Sequence, residues 1–200
     1  MAKSASQTLV APAERGLDVA RQIALVAGGS LFVALCAHVT IPLMPLTPVP
    51  LTVQNLGVLL VGLLLGSKRG FAALALYLAE GAAGFHVFSI GGVGGIAQIM
   101  GATGGFLLAY PLVAFVAGFI MERGTKTFAR AAVAGLAGEI LLFTSGLGWL
   151  AVMTHSITQA FRWGLYWFIF AEIIKVMVAA GIASQMQRRT TVETEGGLNS

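Results

Sequence analysis

Charge is what this sequence has least of. Only 10% of its 200 residues are Asp, Glu, Lys or Arg, against about a quarter in soluble domains. No formal charge occurs between Arg21 and Lys68, from Gly81 to Met121, or from Ile140 to Phe161. A water-exposed fold cannot cover its surface with so few charges, so a soluble globular class is excluded. Cysteine is nearly absent too. The single Cys36 rules out an intrachain disulfide and any CxxC metal or redox motif. Its setting, Val33-Ala34-Leu35-Cys36, departs from a lipobox at the bulky Leu35 and reads as a helix-packing thiol. The net charge of +4 is small and scattered, which argues against nucleic acid as a partner. No Gly-Lys-Ser/Thr follows a glycine-rich loop, so the chain has no Walker-type phosphate site. His38, His86 and His155 lack metal-ligand spacing and read as structural or interfacial. The Ser, His and acidic residues lack any recognised catalytic arrangement, which argues against an intramembrane enzyme.

What is present is apolar sequence, 57% of the chain. A helix needs about 20 residues to cross a bilayer, fewer where the bilayer thins or a loop dips inward. Six segments qualify: 22–41, 53–66, 70–85, 99–121, 131–153 and 163–187, the second and third being short. The expected fold is an all-α integral membrane protein with six transmembrane helices. Glu14 and Asp18 interrupt the N-terminal stretch, so it is no signal peptide. Residues 1–20 read as a cytoplasmic tail with a short amphipathic helix near 13–20, 21–187 as the membrane domain, and 188–200 as a polar cytoplasmic tail.

Lys and Arg favour the cytoplasmic side. Lys3, Arg15, Arg21, Lys68, Arg69, Arg123, Lys126, Arg130, Arg188 and Arg189 all fall on one set of connections and ends. The opposite set holds Arg162 alone. Both termini are therefore expected inside. The outer connections are then the irregular ones: Pro42, Pro45, Pro48 and Pro50 in the first, and seven glycines between Gly91 and Gly105 in the second. Irregular backbone survives at membrane depth only when buried in protein or lining a cavity. These outer loops are expected to cap a substrate cavity.

The most informative side chains are Glu172 and Lys175, opposite charges at i and i+3 within the last span. Charge inside a membrane is expensive and usually functional. The pair is either a structural ion pair or a polar clamp on a ligand. Glu80, near the outer end of the third span, could reach the same cavity. Glu139 falls in the inner third of the fifth span and suggests a structural or partner-contacting role. Gly101-Ala-Thr-Gly104-Gly105 follows Gln98 and opens the fourth span, a turn whose backbone N–H groups could meet a polar ligand. Thr52 could cap the second helix, or join Gln54 at the cavity. The aromatic group Trp163, Tyr166, Trp167 and Phe168 suits the interfacial belt, with stacking on a solute as the alternative. Ala20, Ala24 and Gly28, then Ser30 and Ala34, repeat small residues at i+4. Such stripes pack helices closely, within a bundle or against another subunit.

Taken together, these residues resemble the BioY family. The resemblance runs from about 24 to 183 and rests on Pro48-Val-Pro-Leu-Thr52-Val-Gln54, Leu64-Leu-Gly66-Ser-Lys-Arg69-Gly70 and Ala75-Leu-Tyr77-Leu. Gly84-Phe-His-Val-Phe88, Gly94-Gly95, Gly101-Ala-Thr-Gly-Gly105 and Glu172-xx-Lys175 extend it. That family comprises the biotin-binding S components of energy-coupling factor transporters. The resemblance implies biotin as the transported ligand with no cofactor, a membrane T component, two cytoplasmic ATPases, and a place in the bacterial cytoplasmic membrane. It implies a pocket that includes Gly104, Glu172 and Lys175, to which Gln98 is added by position. It also implies that the small-residue stripe of the first helix meets the T component. The family usually has Pro at 102, Asp at 172 and Pro at 86, where this chain has Ala102, Glu172 and His86. Uptake of another vitamin, or a non-transporting structural subunit, are the alternatives.

Overall fold

The computed structural model describes residues 12–196, and side-chain surroundings from 16 to 187. The side chains of Lys3, Arg15, Arg188 and Arg189, on which part of the orientation argument draws, lie outside it. Pro12 opens α1 (Pro12–His38), where its fixed φ and missing N–H suit a first helical position. The segment read as a separate tail helix and the first span are thus one continuous helix.

The proline-rich connection is not helical. It folds back through two short antiparallel strands, β1 (Thr40–Ile41) and β2 (Leu51–Thr52), with Thr40 opposite Thr52. The molecule is therefore predominantly, not wholly, helical. Thr52 is not a helix cap: the N-cap of α2 (Gln54–Leu65) is Val53, without a side-chain hydrogen bond. A single residue, Gly66 at φ 84°, separates α2 from α3 (Ser67–Ala82). That left-handed φ favours glycine. A Cβ there would also strike the Glu122 carboxylate, which accepts bonds from the Ser67 N–H and hydroxyl.

The glycine-rich segment leads into a short helix, α4 (Gly95–Ile99), and then α5 (Gly104–Glu122). The expected fourth span is thus divided at Met100–Thr103. Thr127 caps α6 (Phe128–Thr154) by accepting from the Arg130 N–H, and His155 ends it at φ 51°. The stretch read as the sixth span is also divided. Ser156 caps α7 (Ile157–Gly164), the chain turns through 165–168, and α8 runs from Ile169 to Gly196. Glu172 consequently lies in the first turn of a helix rather than in the middle of one. The polar stretch after Gln187, expected as a tail, continues α8.

α5 is the central helix, packed on α2, α3 and α6. The contacts depend on small residues, as expected where lipid offers no hydrophobic drive between helices. A Cβ on Gly62 would sit 2.9 Å from the Ala114 Cα, and one on Gly118 would sit 2.4 Å from the Ser67 nitrogen. Large apolar side chains point outward instead, among them Ile140 at 70% exposed and Phe170 at 78%. In water this would be an aggregation surface; in a bilayer it is the solvent-facing side. Among the described residues four helical segments are long and apolar enough to cross: Gly16–His38, Gly104–Glu122, Phe128–Thr154 and Ile169–Gln187. The protein is a multi-pass membrane protein.

Candidate functional site

Two cavities lie end to end where the hairpin, the glycine-rich segment and the α7–α8 turn meet. The inner one, of about 50 Å³, is walled by Gln54 and Asn55 of α2, Phe106 and Tyr110 of α5, Phe143 of α6, and Phe168 and Glu172 at the start of α8. The outer one, of about 230 Å³, is lined by Pro42, Met44 and Pro48 on one side and Gly91, Gly92 and Ala102 on the other. Pro50, Ser89, Gln98 and Thr103 border both. Together they approach the lower end, about 300 Å³, of ordinary small-molecule sites.

At the floor of the inner cavity polar groups from three helices converge. Lys175 Nζ lies 2.6 Å from Glu172 Oε1, with both side chains nearly buried. Asn55 Nδ2 donates to Glu172 Oε2 at 2.7 Å and to Glu139 Oε1 at 2.6 Å. The i,i+3 spacing on α8 aligns the ammonium with the carboxylate, and the amide then joins α2 to α6 and α8. Gln54 donates to the Tyr77 hydroxyl at 2.9 Å, which in turn donates to the Val87 carbonyl. Gln98 is 6% exposed. Its Nε2 donates to Ser89 Oγ and its Oε1 accepts from the Gly94 N–H, so one side chain holds the glycine-rich segment closed on itself.

Of the residues expected at the site, Thr52, Gln54, Gln98 and Glu172 line the inner cavity. Lys175 does not line it, but fixes the Glu172 carboxylate from one turn further on. Glu80 lines neither cavity: its carboxylate accepts from the Ser30 hydroxyl and ties α3 to α1. Gly104 also falls outside, for a steric reason. Its N–H donates to the Gly101 carbonyl, and a Cβ would overlap the Ile99 carbonyl oxygen at 1.8 Å. It is the residue that lets α5 start beneath α4.

The small-residue stripe is split. Ala20, Ala24 and Gly28 are exposed, whereas Ser30 and Ala34 are buried against the bundle and unavailable to another subunit. Their face of α1 meets α3, because Gly29 and Ser30 turn toward Ala73 and Glu80. Cys36 packs between α1 and α2 beside Gly57, as a helix-packing thiol would. The aromatic group divides too: Phe168 lines the inner cavity, while Tyr166 is 70% exposed.

Sequence reasoning missed Asn55, Ser89 and Tyr110 at this site; Thr103 belongs to the 101–105 turn that it did single out, and Glu139, read as structural, lines neither cavity. One signal was available: Asn55 extends Gln54 into a second buried amide within an otherwise apolar run.

The model of the BioY family matches residues 3–191. The chain belongs to the BioY family. It is 38% identical over 171 residues to the probable biotin transporter BioY of Pyrococcus horikoshii, covering 86% of this chain and 99% of that one. To the biotin transporter BioY of Thermotoga maritima it is 37% identical over 144 residues, 72% of this chain and 84% of the other. The crystal structure of the S-component for biotin from an ECF-type ABC transporter superposes with a TM-score of 0.77 at 24% identity, over 90% of this chain and 95% of that one. The fold is therefore shared with that S-component, and the site described above is placed on a BioY scaffold.

Proposed function

We propose that the protein takes up biotin: it binds the vitamin at high affinity on the outer face and delivers it inward as the S component of an energy-coupling factor transporter. The reading is supported by BioY family membership and carried by the Glu172–Lys175 pair at a cavity walled by aromatic rings and amides. Biotin offers two ureido N–H donors, a ureido carbonyl, an apolar ring and chain, and a terminal carboxylate. The Glu172 carboxylate, held from outside the cavity by the Lys175 ammonium, together with amides and apolar walls suits the ureido ring and the apolar part of that inventory.

In this reading six segments span the cytoplasmic membrane with both termini inside, α2 and α3 being the short ones. Four spans are already long enough by themselves; the distribution of Lys and Arg supports the rest. In the same reading, and as the BioY resemblance implies, a membrane T component and two cytoplasmic ATPases power transport. The exposed stripe of Ala20, Ala24 and Gly28 is the surface we assign to the T component.

Calorimetric titration of the detergent-purified, ligand-free protein with biotin tests the reading. One-to-one binding with a Kd well below micromolar is expected. Absence of heat from protein shown to be folded would overturn the biotin assignment.

A further inference from the structure

We infer that Asn55 is a ligand-binding residue whose Oδ1 accepts one ureido N–H of biotin, and that Glu139 is the positioning residue that turns it to do so. The inference rests on the biotin reading above. It begins with the amide itself, which has two N–H hydrogens on Nδ2 and one acceptor oxygen. Nδ2 lies within hydrogen-bond distance of carboxylate oxygens from two different helices, Glu139 Oε1 at 2.6 Å and Glu172 Oε2 at 2.7 Å. An ionised carboxylate only accepts. The flipped amide would set Oδ1 against the Glu172 carboxylate, whose charge the Lys175 ammonium holds, acceptor facing acceptor, so this pair selects one orientation.

That choice decides what remains. Both amide hydrogens are committed, and Oδ1 is buried with no hydrogen-bond partner among the described residues. Asn55 is 3% exposed and lines the inner cavity. A buried carbonyl oxygen left without a donor is unfavourable, so the position favours a ligand that brings an N–H. Biotin's tail carboxylate has none. Its two N–H groups are both in the ureido ring, which fixes the end of the molecule that enters this cavity. Glu172, bonded to the same amide, supplies a second acceptor beside the first.

The test compares biotin with its two cyclic carbamate analogues, in each of which one ureido N–H is replaced by a ring oxygen of similar size. Calorimetry or ligand competition gives the Kd of each for the full-length protein and for Asn55→Leu. The native protein should bind one carbamate on the order of 10- to 100-fold more weakly than biotin because that oxygen faces Oδ1. In Asn55→Leu this one penalty should vanish while the other carbamate stays disfavoured. Asn55→Ser, which keeps a polar group but withdraws the oxygen, carries the same expectation should the leucine variant not fold. Glu139→Ala, which releases one of the two anchors of the amide, should narrow the preference between the carbamates. If Asn55→Leu or Asn55→Ser weakens all three ligands by the same factor, or none, Asn55 is not a ligand contact. An unchanged carbamate preference in Glu139→Ala removes Glu139 from the positioning role. If the native protein binds no biotin, it is the functional reading that fails.

Discussion

At the scale of single residues, the site depends on one ammonium held among two carboxyl groups. Lys175 bonds Glu172, and Asn55 links Glu172 to Glu139. Removing one member of a buried pair strands its partner, at about 3–5 kcal/mol. Lys175→Ala should therefore lower the unfolding temperature in detergent and weaken biotin binding at least about 30-fold. Glu172→Ala should weaken binding to a similar degree. The double variant Glu172→Leu/Lys175→Met should recover part of the lost stability without recovering binding, because replacing both charges by apolar groups removes the stranded charge. A double variant no more stable than Lys175→Ala would show that the pair does not carry this cost. Glu172 and Lys175 were legible in the sequence because charge stands out in an apolar run. Asn55, Ser89 and Tyr110 were not, because isolated uncharged polar residues also occur where there is no site. Glu139, expected to be structural, lines neither cavity and holds the Asn55 amide instead.

At the scale of elements, hydropathy located the apolar segments but could not see where they break. Residues 163–187 read as one span because Trp163 through Phe170 stay apolar across the turn at 165–168. A window average is blind to a turn made of aromatic and other apolar residues. The division at 100–103 was easier to anticipate, since glycines announce it. The two kinds of glycine in this fold also behave differently under substitution. A Cβ on Gly104 would overlap the Ile99 carbonyl, whereas one on Gly181 in α8 would meet nothing within 4 Å. Gly104→Ala should cost about 1–3 kcal/mol through overpacking at the α4–α5 junction. Gly181→Ala should be neutral or stabilising by up to about 1 kcal/mol, by helix propensity alone. Thermal unfolding of the two purified variants checks the contrast. Equal unfolding temperatures would mean that the α4–α5 junction yields without cost.

At the scale of the whole molecule, the proposed orientation makes Ile90 external and Lys126 internal. Both are exposed on the protein surface. In a Cys36→Ala background, a membrane-impermeant thiol reagent applied to intact cells should label Ile90→Cys and leave Lys126→Cys untouched. The reverse pattern would invert the topology. The exposed part of the α1 stripe gives a second whole-molecule expectation. Ala24 and Gly28 border an apolar groove shared with α2 and α8, whose lining includes none of the cavity residues. Ala24→Trp should reduce co-purification with the transporter's T component severalfold while the biotin Kd stays unchanged. Retained association would move the partner surface elsewhere. Periodicity alone could not divide this stripe, because the same four-residue spacing serves internal packing at Ser30 and Ala34 and leaves Ala20, Ala24 and Gly28 outward.

The narrowness of the inner cavity has a consequence for time rather than for affinity. About 50 Å³ accommodates only a few water molecules, so in the biotin reading the ligand's ring system is expected to widen the inner cavity as it enters from the outer one. Thr47 is bonded to the Trp163 carbonyl and Gln98 to Ser89 and the Gly94 N–H, ties that an opening of this mouth would loosen. Association should then saturate with rising biotin concentration, at a rate set by loop opening, instead of climbing linearly as simple collision would dictate. Escape passes through the same rearrangement. The occupied protein would hold its cargo long enough to meet a scarce partner in the membrane.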